Sequence, residues 1–172
     1  MNFFYTPHDI AVFLMVSNFA QGRERIVLHD IWKNKNTFIP AEFRENETLF
    51  RRCVYDELFK IDGTIDDIDE LNLLLQDVGV SFCIKNNMTK QDIIESYFKI
   101  IKLELYYITE RNHQKIKFRR LLNRFNYKRR SAKLMKTIKN TLNALELKTY
   151  LRGRVPCDVA KISIDDVIII RL

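Results

Sequence analysis

Residues 118–140 read "FRRLLNRFNYKRRSAKLMKTIKN", and this stretch decides the fold of the C-terminal third of the chain. Apolar residues recur here, and on to residue 145, at the three- and four-residue spacing of a buried helix face, first as Phe118, Leu121, Leu122 and Phe125, and then as Leu134, Ile138, Leu142 and Leu145. Between the two sets, Asn126 can adopt a turn conformation and Ser131 is a favoured helix N-cap. The pattern predicts two helices joined by the basic corner "NYKRR" (126–130).

Two strand-like segments follow the second predicted helix. "LKTYL" (147–151) and "DVIIIRL" (166–172) are β-branched and aromatic, as strands usually are. The segment that joins them contains Gly153, flanked by Arg152 and Arg154, which suits the basic tip of a two-stranded ribbon. Helix, turn, helix and ribbon is the order of a winged helix-turn-helix, whose second helix can enter the major groove of duplex DNA.

Cationic side chains are concentrated in the same region. From Arg111 to Arg154 there are fifteen Lys or Arg and one acid, Glu146, so this segment carries a formal charge of +14. The whole chain, with 29 basic and 22 acidic residues, carries +7, and the remainder is therefore at −7. A concentrated positive charge attracts polyanions, of which nucleic acid is the commonest in the cytosol. We therefore expect a basic module joined to an acidic body.

The predicted nucleic-acid interface has two parts. The residues expected to face the groove are Lys133, Lys136, Thr137 and Asn140. The residues expected to neutralise phosphates are Lys128, Arg129, Arg130, Arg152 and Arg154. Phosphate contacts confer affinity without sequence information, and few of these side chains suit bidentate base readout. We therefore expect salt-dependent binding with modest sequence preference, to duplex DNA rather than RNA.

The same region carries a resemblance to a known module. In that module a short helix ends in Phe, an Arg-Arg pair precedes a small residue, a second helix follows, and an Ile-Asp strand closes the unit. The matching residues are Leu121, Leu122, Phe125, Arg129, Arg130, Ser131, Ile138, Leu142, Leu147, Thr149, Ile164, Asp165 and Ile168. Residues 115–172 thus resemble a small module of bacterial restriction and anti-phage proteins, although Ser131 and Glu146 stand where that module usually has Gly. The resemblance implies a defence or mobile-element context.

Residues 1–110 are predicted to form a mainly helical body that docks to a protein partner or to a second copy. The elements expected there are a helix from about His8 to Ala20, a strand at 23–31, a loop at 33–37, a helical stretch from Pro40 broken near Asn46, a helix at 64–77, a strand at 80–84, and a helix from Lys90 to about Glu110 capped by Thr89. The basic module, residues 111–172, begins after a boundary placed in the polar connector 109–115. The predicted fold class is mostly α with short β elements.

No metal, cofactor or catalytic residue is expected. The pairs His8-Asp9 and His29-Asp30 have no third ligand at zinc-like spacing, and the acidic run 62–70 does not have the spacing of an EF-hand. The chain contains no phosphate-binding loop, nucleophile elbow or dinucleotide fingerprint.

The remaining features point to the cytoplasm. Three cysteines, at 53, 83 and 157, have neither metal-ligand nor redox spacing, which fits small core residues in a reducing compartment. No apolar run is long enough to cross a membrane, and the N-terminal stretch lacks the positive segment of a secretory signal. A cytoplasmic protein without membrane contact is expected.

The favoured hypothesis is therefore non-catalytic nucleic-acid binding by an accessory or regulatory protein. One alternative is an adaptor whose basic face binds an acidic effector protein. A second alternative is a small metal-dependent nuclease or toxin that uses carboxylates such as Asp66 and Asp67.

Overall fold

A computed structural model describes residues 4–17, 19, 22–63, 89–108 and 112–172. The described residues are mostly helical, and a small antiparallel sheet lies near the C-terminal end. They fall into two compact units, one within residues 4–63 and the other within residues 89–172. The expected fold class, mostly α with short β elements, is confirmed at this level.

The N-terminal unit is helical throughout. Its helices are α1 (Pro7–Ser17), α2 (Arg23–Lys33), α3 (Lys35–Phe38) and α4 (Glu47–Gly63), with a 3-10 turn at Ala41–Phe43. α1 packs on α4. Thr6 caps the N-terminus of α1, because its Oγ1 accepts a hydrogen bond from Asp9 N at 3.2 Å. The expected break near Asn46 is also present, and the Asn46 side chain accepts a hydrogen bond from Leu49 N at 3.0 Å.

Two predictions for this unit were wrong. Residues 23–31 form most of helix α2, not a strand, because Val27, Leu28 and Ile31 are buried at helical spacing while Ile26 is 70% exposed. The predicted loop 33–37 lies mostly within α2 and α3. Asn34, between these two helices, donates a hydrogen bond from its side-chain amide to the Asp30 carbonyl oxygen at 3.0 Å. The predicted helix 64–77 and strand 80–84 lie outside the described residues.

The C-terminal unit begins with the long helix α5 (Lys90–Tyr107). Its N-terminus has the predicted cap, in which Thr89 accepts from Asp92 N and the Asp92 carboxylate accepts from Thr89 N. The sequence placed the end of this helix near Glu110, whereas its C-cap is Ile108. The unit therefore includes α5, which the sequence assigned to the body.

Two shorter helices carry the opening stretch of the sequence. α6 (Phe118–Arg124) buries the predicted apolar face, and α7 (Ala132–Ala144) is capped by Ser131 Oγ, which accepts from Leu134 N at 3.2 Å. The turn between them uses Asn126 at φ +57°, as the sequence suggested. The buried residues of α7 are Leu134, Met135, Ile138, Thr141 and Leu142.

An aromatic cluster joins α5 to the end of α6. The Phe125 ring packs edge-on against Tyr97 at 5.4 Å between centroids, and it lies 6.1 Å from Phe98. All three side chains are buried. Burial raises the pKa of Tyr97 to about 12, so its hydroxyl stays protonated at neutral pH. The cluster is part of the core of the C-terminal unit and connects α5 to the end of α6.

The described strands form a four-stranded antiparallel sheet in the order β1-β4-β2-β3. Its strands are β1 (Gln114–Lys117), β2 (Lys148–Leu151), β3 (Val155–Pro156) and β4 (Val167–Arg171). The two strands expected from the sequence are both present, and they pair with each other as β2 and β4. The turn at residues 152–154, however, closes a hairpin between β2 and the short strand β3, which the sequence did not predict. The sequence assigned part of β1 to a polar connector, whereas it pairs with β4 along its whole length.

The loop before β4 accepts hydrogen bonds from the N-terminus of helix α6. The first two amides of α6 donate to this loop, Phe118 N to the Asp166 carbonyl at 2.8 Å and Arg119 N to the Ile164 carbonyl at 2.7 Å. Asp165 then accepts two hydrogen bonds from the Arg119 guanidinium, at 2.9 and 3.1 Å. The identification of the whole arrangement as a winged helix-turn-helix stays a prediction.

Candidate nucleic-acid interface

The outward face of α7 carries the residues predicted to face a groove. Lys133, Lys136 and Asn140 are exposed, and Thr137 between them is half-buried. Their spacing of three and four residues places them in one stripe, opposite the buried Leu134 and its apolar neighbours. The Thr137 hydroxyl donates to the Lys133 carbonyl oxygen at 3.1 Å, so its hydrogen is already used within the helix.

The basic corner precedes the N-terminus of this helix. Lys128 and Arg129 are exposed, and neither has an ion-pair partner within the described ranges. Arg130 is different, because its guanidinium donates to the Ile162 carbonyl oxygen and so ties the corner to the loop before β4. Of the predicted Arg-Arg pair, Arg129 is therefore exposed without a partner among the described residues, and Arg130 has a structural contact of its own.

The tip of the β2–β3 hairpin holds the last two predicted residues. Gly153 at φ +82° and Arg154 at φ +62° turn the chain through the left-handed region. Arg152 and Arg154 are both exposed, and the Val155 side chain beside them is 55% exposed. Two guanidinium groups thus stand at an exposed turn with no carboxylate partner among the described residues.

Other cations of the basic segment are paired within the fold. Lys139 Nζ lies 2.8 Å from Asp158, while Lys117 and Arg119 both contact Asp165. The hydrogen bond from Lys139 holds the pKa of Asp158 below its usual value, and that from Arg119 does the same for Asp165.

Arg124 is also engaged within the fold. Its guanidinium donates to the Tyr97 hydroxyl at 3.4 Å and lies over the Tyr97 ring, 5.5 Å from its centroid. The structure therefore separates cations that have a partner within the fold from exposed cations that have none among the described residues. The predicted cations, apart from Arg130, belong to the second group.

A further group of cations, outside the predicted interface, lies on one face of the sheet. Lys115 and Lys117 of β1, Lys148 of β2 and Arg171 of β4 sit at alternating strand positions. The signal was present in "QKIK" (114–117), whose single apolar residue alternates with cations, but such a short pattern does not distinguish a strand from a polar linker.

Within the described part of the chain, no cluster of three or more His, Cys, Asp or Glu has an arrangement that could hold a metal ion. His8 and His29, which the sequence placed beside carboxylates, each contact one glutamate instead, Glu57 and Glu47. Burial raises the pKa of the Cys157 thiol, which disfavours its nucleophilic form. Asp66 and Asp67, proposed for a nuclease, lie outside the described residues.

Comparisons with protein-family models, with curated proteins and with solved structures found no match to this chain. None of the helices in the described ranges combines the length and the apolar character needed to span a bilayer.

Proposed function

We propose that this protein binds nucleic acid through the outward face of α7 and the basic corner before it, with duplex DNA favoured over RNA. In this proposal it acts without catalysis, as an accessory or regulatory protein of a bacterial defence or mobile-element system. The defence context comes from the resemblance carried by residues 115–172. The helical unit within residues 4–63 is proposed to dock to a protein partner.

One observation carries the binding proposal. Lys128, Arg129, Lys133 and Lys136 are exposed and have no ion-pair partner among the described residues, whereas Lys139, on the same helix, is held by a carboxylate. An ammonium group that is already paired gains less from a phosphate, because it must first give up its partner. The unpaired cations are therefore the groups that a polyanion neutralises with the greatest gain.

The mechanism is electrostatic capture. Each phosphate that a Lys or Arg neutralises releases condensed counterions, and this release provides sequence-independent affinity that falls as salt rises. The α7 stripe offers one amide side chain, Asn140, that can pair with an adenine edge, and its other exposed members are lysines. We therefore expect phosphate contacts to position the protein on the duplex and few side chains to read base edges.

Lys136 and Lys139 form a matched pair for testing this proposal. Both are exposed lysines of α7, but only Lys139 has a described carboxylate partner, Asp158 at 2.8 Å. Lys136→Gln should weaken duplex binding severalfold and reduce the salt slope of log K by about 1. Lys139→Gln removes the same charge from the same helix and should change affinity much less.

Fluorescence anisotropy with a labelled duplex, between about 50 and about 200 mM salt, measures both affinities and slopes. The proposal is supported if the double variant Lys133→Gln/Lys136→Gln loses about 2 from the slope while its thermal unfolding matches the wild type. It is overturned if Lys136→Gln and Lys139→Gln behave alike, or if the wild-type chain shows no salt-dependent binding to duplex.

A further inference from the structure

The strand register defines a second surface on the C-terminal unit. In antiparallel pairs, directly opposed residues point to the same face of a sheet. Lys115 opposes Ile169, and Ile169 opposes Tyr150, so these three side chains form one row across β1, β4 and β2. The alternate positions, including Ile116, Ile168 and Ile170, are buried and form the inner face.

The outer face has an apolar centre with cations at its margin. Ile169 and Tyr150 are half-buried, and Val167, opposite Lys117, is 47% exposed. The strands of this face contribute four cations and no acid, and the cations are Lys115, Lys117, Lys148 and Arg171. Asp165, from the loop before β4, lies 3.3 Å from Lys117, so three of the four have no described carboxylate partner.

One pair on this face is unfavourable for folding. Lys148 and Arg171 oppose each other directly across β2 and β4, and like charges in that position destabilise a sheet. Arg171 Nε is also buried and has no hydrogen-bond partner among the described residues. The buried, unsatisfied donor is costly in itself, and an anion bound beside Lys148 and the exposed part of Arg171 would offset the repulsion between the two charges.

A neighbouring histidine responds to the same concentration of charge. His113 precedes β1, and its pKa is lowered by partial desolvation and then by Lys115 and Arg171. Cations from β1 and from β4 therefore act at one point of the sheet margin.

From this arrangement we propose that the outer face of the sheet binds a single-stranded nucleic acid, as a site separate from the α7 face. The phosphates contact Lys115, Lys148 and Arg171, and a base stacks on the Tyr150 ring. An open sheet face with an aromatic centre suits unpaired bases, because stacking on a ring tolerates any base and needs no groove. This inference deepens the proposed function and adds single strands as a second ligand class.

A charge reversal at Lys148 separates a ligand role from a structural one. Lys148→Glu places an acid opposite Arg171, which should stabilise the sheet and raise the midpoint of thermal unfolding. The same change should lower the affinity for a labelled oligo-dT strand about fivefold or more, because it removes one phosphate contact and repels another. Stability and affinity thus move in opposite directions, which a purely structural residue does not produce.

Tyr150 gives an independent arm of the experiment. Tyr150→Leu should lower the affinity for oligo-dT about fivefold or more, because the stacking surface is lost. Tyr150→Phe, which keeps an aromatic ring, should bind oligo-dT as the wild type does. The control for net charge is Arg25→Glu, an exposed residue in the first turn of α2, where an acid is well tolerated. All variants are assayed in the full chain with oligo-dT, with a blunt duplex and with a poly-glutamate peptide.

The outcomes distinguish this inference from the proposed function. Loss of oligo-dT binding in Lys148→Glu and Tyr150→Leu, with duplex binding retained, supports a separate single-strand site. Equal oligo-dT affinity in Lys148→Glu and Arg25→Glu overturns it, whatever the duplex result. It is also overturned if poly-glutamate binds with the same Lys148 dependence and oligo-dT does not. If Lys133→Gln/Lys136→Gln weakens duplex binding and leaves oligo-dT binding intact, both proposals are supported.

Discussion

Glu57 shows how single residues connect the helices of the N-terminal unit. Its carboxylate accepts a hydrogen bond from Lys60 Nζ at 2.7 Å on the same helix, and it lies 2.9 Å from His8 Nδ1 on α1. The hydrogen bond from Lys60 holds the pKa of Glu57 below its ordinary value of 4.5, against partial burial, and the contact with His8 adds to this. The charged form of Glu57 is therefore the form that stabilises the fold.

The sign of the pH dependence follows from this depressed pKa. The unfolded chain binds a proton at Glu57 more readily than the folded chain, so this contribution is fully present above about pH 4.5 and is lost as the pH falls through the folded pKa. Glu57→Gln should lower the free energy of unfolding at neutral pH by up to about 1 kcal/mol and flatten its decline in acid. Urea denaturation between about pH 3 and about pH 7 measures both effects.

The neighbouring residue provides the control for this prediction. Asp56 is exposed and its carboxylate lies 4.0 Å from Arg52, so Asp56→Asn removes the same charge without touching the α1–α4 contact. The decline in acid should persist in that variant. Parallel stability curves for wild type and Glu57→Gln across the acid range contradict the assignment to Glu57.

At the scale of elements, helix α7 begins at a defined cap. Ser131 has extended backbone angles and its Oγ accepts from Leu134 N, satisfying one of the free amides of the first turn. Ser131→Ala should cost about 1 kcal/mol of unfolding free energy, whereas Ser131→Gly should cost only a few tenths. The resembling module usually has Gly here, and the small expected cost of Gly explains how both residues suit the position.

Chemical denaturation of the two variants side by side tests this prediction. The Gly variant serves as the internal control, because it removes the same hydroxyl without the poor capping behaviour of Ala. Equal stability of the Ala variant and the wild type contradicts a capping role for Ser131. Duplex affinity at a temperature where all three are folded should stay unchanged, since no charge is altered.

The elements that were predictable from the sequence are those with strong local signals. α5 and α7 combine a side-chain cap with a long apolar stripe, and both were located with correct starts. α2 was taken for a strand because "IVL" (26–28) is a short apolar run, and such a run fits either structure until burial shows which positions face the core. β1 was missed since its stability comes from pairing with β4, about fifty residues away in sequence.

Glu146 has a backbone conformation that the sequence alone does not indicate. It has φ +58° and follows α7, which is a position that favours glycine after a helix. The chain makes this left-handed turn with a residue other than glycine. The Glu146 carboxylate lies 3.5 Å from Nζ of the buried Lys102, a contact that a glycine cannot make.

At the scale of the whole molecule, sequence composition located the basic region but not the role of each cation. A count of charges does not distinguish Lys136 from Lys139. Lys139 is paired only because the fold brings Asp158, nineteen residues later in the chain, within hydrogen-bonding distance. For the same reason Arg130 was assigned to phosphate, although the Ile162 carbonyl oxygen accepts its hydrogen bond. Only a folded chain shows which cations its own acceptors have already taken.

The total salt dependence of duplex binding should follow the unpaired cations and not the formal charge. If Lys128, Arg129, Lys133, Lys136, Arg152 and Arg154 all contact phosphate, the slope of log K against log salt approaches about −5. The segment's +14 taken at face value predicts a slope more than twice as steep. Anisotropy titrations at several salt concentrations decide between the two values. Arg25→Glu, which replaces a cation of the N-terminal unit by an acid, should leave the slope unchanged, and a shift of 1 or more would place that unit at the DNA.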